Sequence, residues 1–246
     1  MFNYQIIVEY LGTNYVGWQI QKKGKSIQSL IEKALKKTLN SRIKIIGSGR
    51  TDAGVHAKGQ SANFTINQEI KDKYKFLNSV NFFLKKNSIS IIKVNKRKQS
   101  FHARHSVKKK IYKYIIFNRS FSSPIYNDRV WLIKNKLNVA SMKKGIKYYL
   151  GRHNFTAMKA ASCESKSPIR TITKAEIKKK SEKIFIFFES KSFLQKQVRS
   201  MVGCLKYVGE NKWKPERIKY VIKSKKRELC APPAPPEGLY LEKVFY

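Results

Sequence analysis

The ten residues Gly47-Ser48-Gly49-Arg50-Thr51-Asp52-Ala53-Gly54-Val55-His56 are the stretch of this 246-residue chain best equipped for chemistry. Glycines at 47, 49 and 54 mark backbone that turns tightly or approaches another molecule closely. Asp52 is one of only three aspartates, with Asp72 and Asp128. A carboxylate in such a loop can act as a nucleophile or abstract a proton. It can equally hydrogen-bond its own backbone, as turn aspartates commonly do. Arg50, two residues away, favours the ionised form of a partly desolvated carboxylate. The loop follows a strand-like run, RIKII at 42–46, which presents it at a sheet edge or end, where sites accumulate.

Other reactive groups are sparse. Cys163, Cys204 and Cys230 are odd in number and form no CxxC pair, so neither a disulfide framework nor a zinc site is expected, and a reducing cytoplasm fits. The histidines at 56, 102, 105 and 153 lack metal-ligand spacing, so no metal is expected. Asp52 has no acidic neighbour within ten residues, whereas a magnesium-dependent nuclease needs clustered carboxylates. Tyr112, Tyr114 and Ile116 alternate as one face of a strand. Arg199 lies on the boundary of an apolar helical stripe, where arginines ordinarily reach water.

The elements that must position these groups follow from periodicity. Strands are expected at 4–10, 42–46, 59–66, 90–94, 110–117, 169–178 and 183–189, with GLYLEKVFY closing the chain as another. Ser26 can cap a helix whose stripe is Ile27, Leu30, Ile31, Ala34 and Leu35. A second helix near 73–85 carries Leu77, Val80 and Leu84, and a third is expected near 138–150. A long helix over 194–208 would bury Leu194, Val198, Met201, Val202, Leu205 and Val208, and a last one covers 215–223. The expected class is α+β: two similar halves, 1–106 and 107–246, each a mainly antiparallel sheet covered by helices, with a basic catalytic cleft between them.

Fifty-three basic residues against fifteen acidic ones give a formal charge of +38, which attracts polyanions and points to nucleic acid. Forty-two of them are lysines, a bias that AT-rich coding also produces, so the eleven arginines are the more informative. MFNYQIIVEY has no basic leader region, so it does not read as a signal peptide. No apolar run approaches the roughly 20 residues of a membrane helix, so no membrane association is expected.

GRTDAGVHA at 49–57 resembles the signature of the tRNA pseudouridine synthase A family. EYLGTNYVGWQ (9–19), FHARHS (101–106), YKYIIFN (112–118), FLQKQVRSMVG (193–203) and APPAPPEGLYLEKV (231–244) resemble its other motifs in order, so the likeness covers almost the whole chain. The resemblance implies a cytoplasmic homodimer that isomerises uridine to pseudouridine at positions 38, 39 and 40 of the tRNA anticodon stem-loop, without cofactor. It implies Asp52 as the catalytic carboxylate. Tyr112 would lie beneath the target base, and Arg199 would pair with Asp52. RNA contacts would come from Arg50, from Phe101, His102, Ala103, Arg104 and His105, and from Glu164, Ser165, Lys166, Ser167 and Pro168. Attack at the ribose, attack at the pyrimidine ring and elimination through a glycal all remain open to such a carboxylate. Leu11, His105 and Met158 depart from the family pattern and are expected at the edges of the RNA-binding surface. A non-catalytic tRNA-binding protein on the same fold is the rival reading.

Overall fold

Strand β1 (Phe2–Tyr10) buries Tyr4, Ile6, Val8 and Tyr10, the alternation that a half-buried strand requires. The computed structural model describes residues 1–246. The chain divides into two units: residues 1–108 with 241–246, and residues 109–240. Both are α+β.

In the first unit β1 lies between β3 (His56–Ile66) and β4 (Ile89–Arg97), antiparallel to both. Helix α1 (Ile27–Leu39) begins where the Ser26 hydroxyl accepts from the Ser29 N–H at 3.2 Å, and it stops at Asn40 in the left-handed region. It buries Ile27, Ile31, Ala34 and Leu35. Helix α2 (Lys73–Leu84) is capped by Asp72, whose carboxylate accepts from the Lys75 N–H at 2.9 Å. Phe76 rather than Leu77 completes its buried stripe with Val80 and Leu84, a spacing of four instead of three. Helix α2 packs on α1 and on β4.

The expected strand over 42–46 is largely absent, since β2 is only Ile46–Gly47, paired to β3. Side chains of α1 take the backbone groups that a strand would pair: Glu32 accepts from the Ile45 N–H at 3.0 Å, and Gln28 donates to the Ile45 carbonyl at 3.2 Å. Residues 241–245 of strand β10 (Leu239–Phe245) lie beside β3, and the Lys108 N–H donates to the Phe245 carbonyl at 2.9 Å.

In the second unit β5 (Lys109–Asn118), β9 (Lys183–Ser190), β8 (Ile169–Lys180) and β7 (Gly151–Asn154) are successive antiparallel neighbours. The three-residue β6 (Trp131–Ile133) pairs with β5 in parallel. Strands β6 and β7 are too short to show a period in the sequence. Helix α3 (Val139–Ile146), capped by Asn138, continues as a single 3₁₀ turn to Tyr149, so the stretch expected as one helix is two pieces. Helix α4 (Gln197–Gly209) starts three residues later than expected. Lys196 is left-handed there, and the Gln197 side chain accepts from the Leu194 N–H at 2.8 Å, closing a turn ahead of the helix. All six apolar residues expected along 194–208 are buried, at roughly 1.5–3 kcal/mol each. Helix α5 (Arg217–Ser224) follows. Met158, expected at the edge of an RNA-facing surface, is instead fully buried, at 0 % exposure. No helix is long and apolar enough to cross a membrane.

Candidate active site

The loop carrying Asp52 is clamped from four directions within the first unit. Pairing of Gly47 to Ala62 launches it, and the Ser48 N–H donates to the Ser61 carbonyl at 2.7 Å. Gln60, fully buried on β3, holds the next two residues: its amide oxygen accepts from the Ser48 hydroxyl at 2.7 Å and its amide nitrogen donates to the Gly49 carbonyl at 2.9 Å. The Trp18 backbone N–H then donates to the Thr51 carbonyl at 3.1 Å. The Tyr10 and Thr51 hydroxyls meet at 2.8 Å. Burial pushes the Tyr10 phenol well above its usual range, and the Thr51 hydrogen bond acts against that shift. It is therefore neutral at any physiological pH.

Asp52 begins a tight turn, closed by the Val55 N–H on the Asp52 carbonyl at 3.2 Å. Behind the turn, His56 is fully buried and its Nδ1 accepts from the Gly12 N–H at 2.9 Å. A neutral imidazole with its proton on Nε2 satisfies that bond. Gly12 has to be glycine, because a Cβ there would lie 2.0 Å from the Val55 carbonyl oxygen. Leu11 is thus adjacent to the support of the Asp52 loop. The outcome is a rigid loop on which Asp52 is half-buried and Arg50 exposed. The other two aspartates have different settings: Asp72 caps α2, and Asp128 occupies a left-handed turn position.

The stretch from Phe101 to Ser106 is a turn of the same unit, closed by the Ser106 N–H on the His102 carbonyl at 2.9 Å. His102 Nδ1 lies 3.2 Å from the Arg104 N–H and 3.3 Å from that of His105. Partial burial, and behind it the neighbouring His105, lowers the His102 pKa. Ala103 is fully buried; its N–H donates to Asn63 at 2.9 Å and its carbonyl accepts from the Tyr246 hydroxyl at 2.9 Å. That hydroxyl also lies 2.8 Å from Ser61 Oγ, next to Gln60, so one buried polar chain ties this turn to the Asp52 loop. Phe101 and His102 are half-buried, while Arg104 and His105 face solvent. The structure therefore gives Ala103 a seating role within the unit.

The second unit holds Tyr112, Arg199 and residues 164–168. Tyr112 is paired with Phe188 across β5 and β9, is 9 % exposed, and meets Phe193 edge-on at 5.1 Å. Tyr114 is fully buried, and its hydroxyl donates to the Pro235 carbonyl at 2.8 Å. Arg199 lies in the first turn of α4, and its Nε donates to the Ala234 carbonyl at 2.7 Å. The Ala234 N–H returns a bond to the Arg199 carbonyl at 2.9 Å. Segment 231–238 fits against α4 at Gly203, where a Cβ would lie 2.0 Å from the Pro232 carbonyl oxygen.

Arg170 shapes the loop at 164–168. It donates to Ser165 Oγ at 2.7 Å and to the Ser167 carbonyl at 2.8 Å, leaving Glu164, Lys166 and Ser167 exposed, with Ser165 and Pro168 half-buried. No three His, Cys, Asp or Glu side chains are grouped where they could hold a metal ion. Sequence reading missed Tyr10, Gln60, His56 and Arg170 as supports of these loops; a polar side chain at a core position of a strand was the available signal for Gln60.

A family model described as tRNA pseudouridine synthase matches residues 6–106 and 146–246. A tRNA pseudouridine synthase A from Pelagibacter ubique (strain HTCC1062) is 55% identical over 246 residues, covering 100% of both chains. One from Thermoanaerobacter sp. (strain X514) is 43% identical over 248 residues, again covering 100% of each. A solved Cbf5-Nop10-Gar1 complex aligns with a TM-score of 0.33 and 12% identity over 82% of this chain and 53% of that one, a likeness too weak to add anything.

Proposed function

The chain belongs to the tRNA pseudouridine synthase family and is an isomerase acting on tRNA uridine; from that premise we propose that it acts at positions 38, 39 and 40 of the anticodon stem-loop with Asp52 as its catalytic carboxylate. The observation that carries this reading is the clamping of the Asp52 loop by Gln60, Tyr10, Trp18 and His56 while Asp52 itself stays half-buried. Groups held in place before substrate arrives cost no reorganisation during reaction. A carboxylate so held acts on the ribose or the base as nucleophile or proton acceptor. The reaction rearranges atoms already present in uridine with no net change of oxidation state, and in this reading it proceeds without cofactor or metal.

A uridine in a stem has to leave the stack to be reached, at a cost of a few kcal/mol. In this reading Tyr112 supports the displaced base, and Arg199 belongs to the same catalytic constellation as Asp52. Arg50, Arg104 and His105 reach the RNA from the first unit, with Phe101, His102 and Ala103 framing that turn. Glu164, Ser165, Lys166, Ser167 and Pro168 form the second unit's contact loop. The working form is a cytoplasmic homodimer, which doubles the basic surface available to a folded RNA.

The test is incubation with an unmodified tRNA transcript bearing uridines at 38–40, without added cofactor or metal, followed by pseudouridine mapping at nucleotide resolution. Pseudouridine confined to those positions, and lost by about 10³-fold in Asp52→Ala, is the expected result. Conversion elsewhere in the tRNA would move the site assignment. Undiminished conversion by Asp52→Ala would remove Asp52 from the chemistry.

A further inference from the structure

After α4 the chain turns sharply at Asn211, and the N–H groups of Lys212 and Trp213 both donate to the Tyr207 carbonyl, at 3.0 and 3.2 Å. This places the Trp213 indole beside the start of α5, against Tyr207 at 5.0 Å. The Arg217 guanidinium then lies between two rings, 5.7 Å from the centre of Trp213 and 4.5 Å from that of Tyr220. Tyr220 is 52 % exposed and faces solvent one helical turn on.

Together Lys212, Trp213, Lys214, Glu216, Arg217 and Tyr220 line an open groove of about 570 Å³. Its charge is three cations against one carboxylate, and that carboxylate is 3.5 Å from the Tyr148 hydroxyl. Lys212 is itself engaged by Glu210 at 3.1 Å. The Arg217 guanidinium is half-exposed and is held by ring contacts rather than by a carboxylate of its own, so its donors remain available to a ligand.

None of these residues belongs to the site described above. We propose that this groove binds an unstacked nucleotide of the tRNA, its phosphate on Arg217 and its base against the Tyr220 and Trp213 rings. A guanidinium held on aromatic faces loses little freedom when it meets phosphate. Half-exposed aromatic rings beside it offer the stacking platform that unpaired bases take. A chain of charge +38 that acts on tRNA supplies the matching polyanion. The inference rests on the tRNA substrate but not on the assignment of Asp52.

The experiment is equilibrium binding of a labelled, unmodified tRNA transcript to the full-length protein over a range of salt concentrations. Tyr220→Ala alters no charge, and it weakens binding by about fivefold to tenfold at fixed salt while Tyr220→Phe retains affinity. Arg217→Gln weakens binding and lowers the slope of log affinity against log salt by about one. Wild-type affinity and slope in both Tyr220→Ala and Arg217→Gln would overturn the proposal. So would a loss confined to Arg217→Gln, which would reduce the groove to ordinary surface charge. Melting curves establish that each variant is folded. Because binding is read without turnover, a wild-type protein that binds but never converts uridine would sink the proposed function and leave this test intact.

Discussion

Gln60 illustrates how much the Asp52 loop depends on single side chains. Replacing it by Leu keeps the volume but strands the Ser48 hydroxyl and the Gly49 carbonyl without their partner. Each unsatisfied group costs about 1–3 kcal/mol. Gln60→Leu is therefore expected to lower the melting temperature and to cut kcat by about tenfold, with the KM for tRNA little changed. A KM defect alone, measured in steady-state turnover, would mean the loop is not held by Gln60. Tyr112 has a ring already packed edge-on against Phe193 and a hydroxyl that stacking does not need. Tyr112→Phe should accordingly retain most of the conversion rate, and Tyr112→Leu should lose it by about tenfold or more. Equal rates in a single-turnover assay would argue against a platform role.

At the scale of elements, the contact between α4 and segment 231–238 is close enough to test directly. Gly203→Ala puts a methyl group 2.0 Å from the Pro232 carbonyl oxygen, an overpacking worth about 1–3 kcal/mol. Thermal melting should fall by about 5 °C, and turnover should fall with it, because Ala234 anchors Arg199 through the same segment. The first unit has its own sensitivity, to alkali. Burial pushes the Tyr246 phenol up to about 12, and the buried Tyr10 phenol rises too. The folded state thus keeps protons that the unfolded chain sheds near pH 10, so the stability these phenols contribute is fully present below pH 10 and falls away as pH rises from 10 to about 12. Melting temperatures across that range should show the fall, and Tyr246→Phe should show less of it.

These elements also mark what sequence can reveal. Helices α1 and α4 and strands β1, β5 and β9 carry stripes long enough to declare themselves, and the Asp52 loop is contiguous, so its glycines and carboxylate are read together. Its supports are not. Tyr10 and Gln60 lie on strands where period-two reading separates core from solvent but says nothing of hydrogen-bond partners. Arg170, on β8, looks like any other surface cation until the 164–168 loop is folded around it. The lost strand at 42–46 has the same origin, since Ile43 and Ile45 alternate correctly while Glu32 and Gln28 take the backbone.

For the whole molecule the dominant quantity is the charge of +38. If much of it meets phosphate, raising salt from about 50 to 200 mM should raise the KM for tRNA by tenfold or more and leave kcat alone. A flat KM in steady-state kinetics would mean that most lysines serve only the solvated surface. The division of the chain has a consequence of a different kind, for its biosynthesis. The first unit takes residues 1–108 and then waits for 241–246, which lie beside β3 and put Tyr246 on Ser61 and Ala103. A ribosome reads out all of residues 109–240 in between. The part of the protein that begins first is therefore finished last, and until Leu241 emerges the nascent chain carries β3 with part of its edge open, the kind of edge that chaperones shield from other chains.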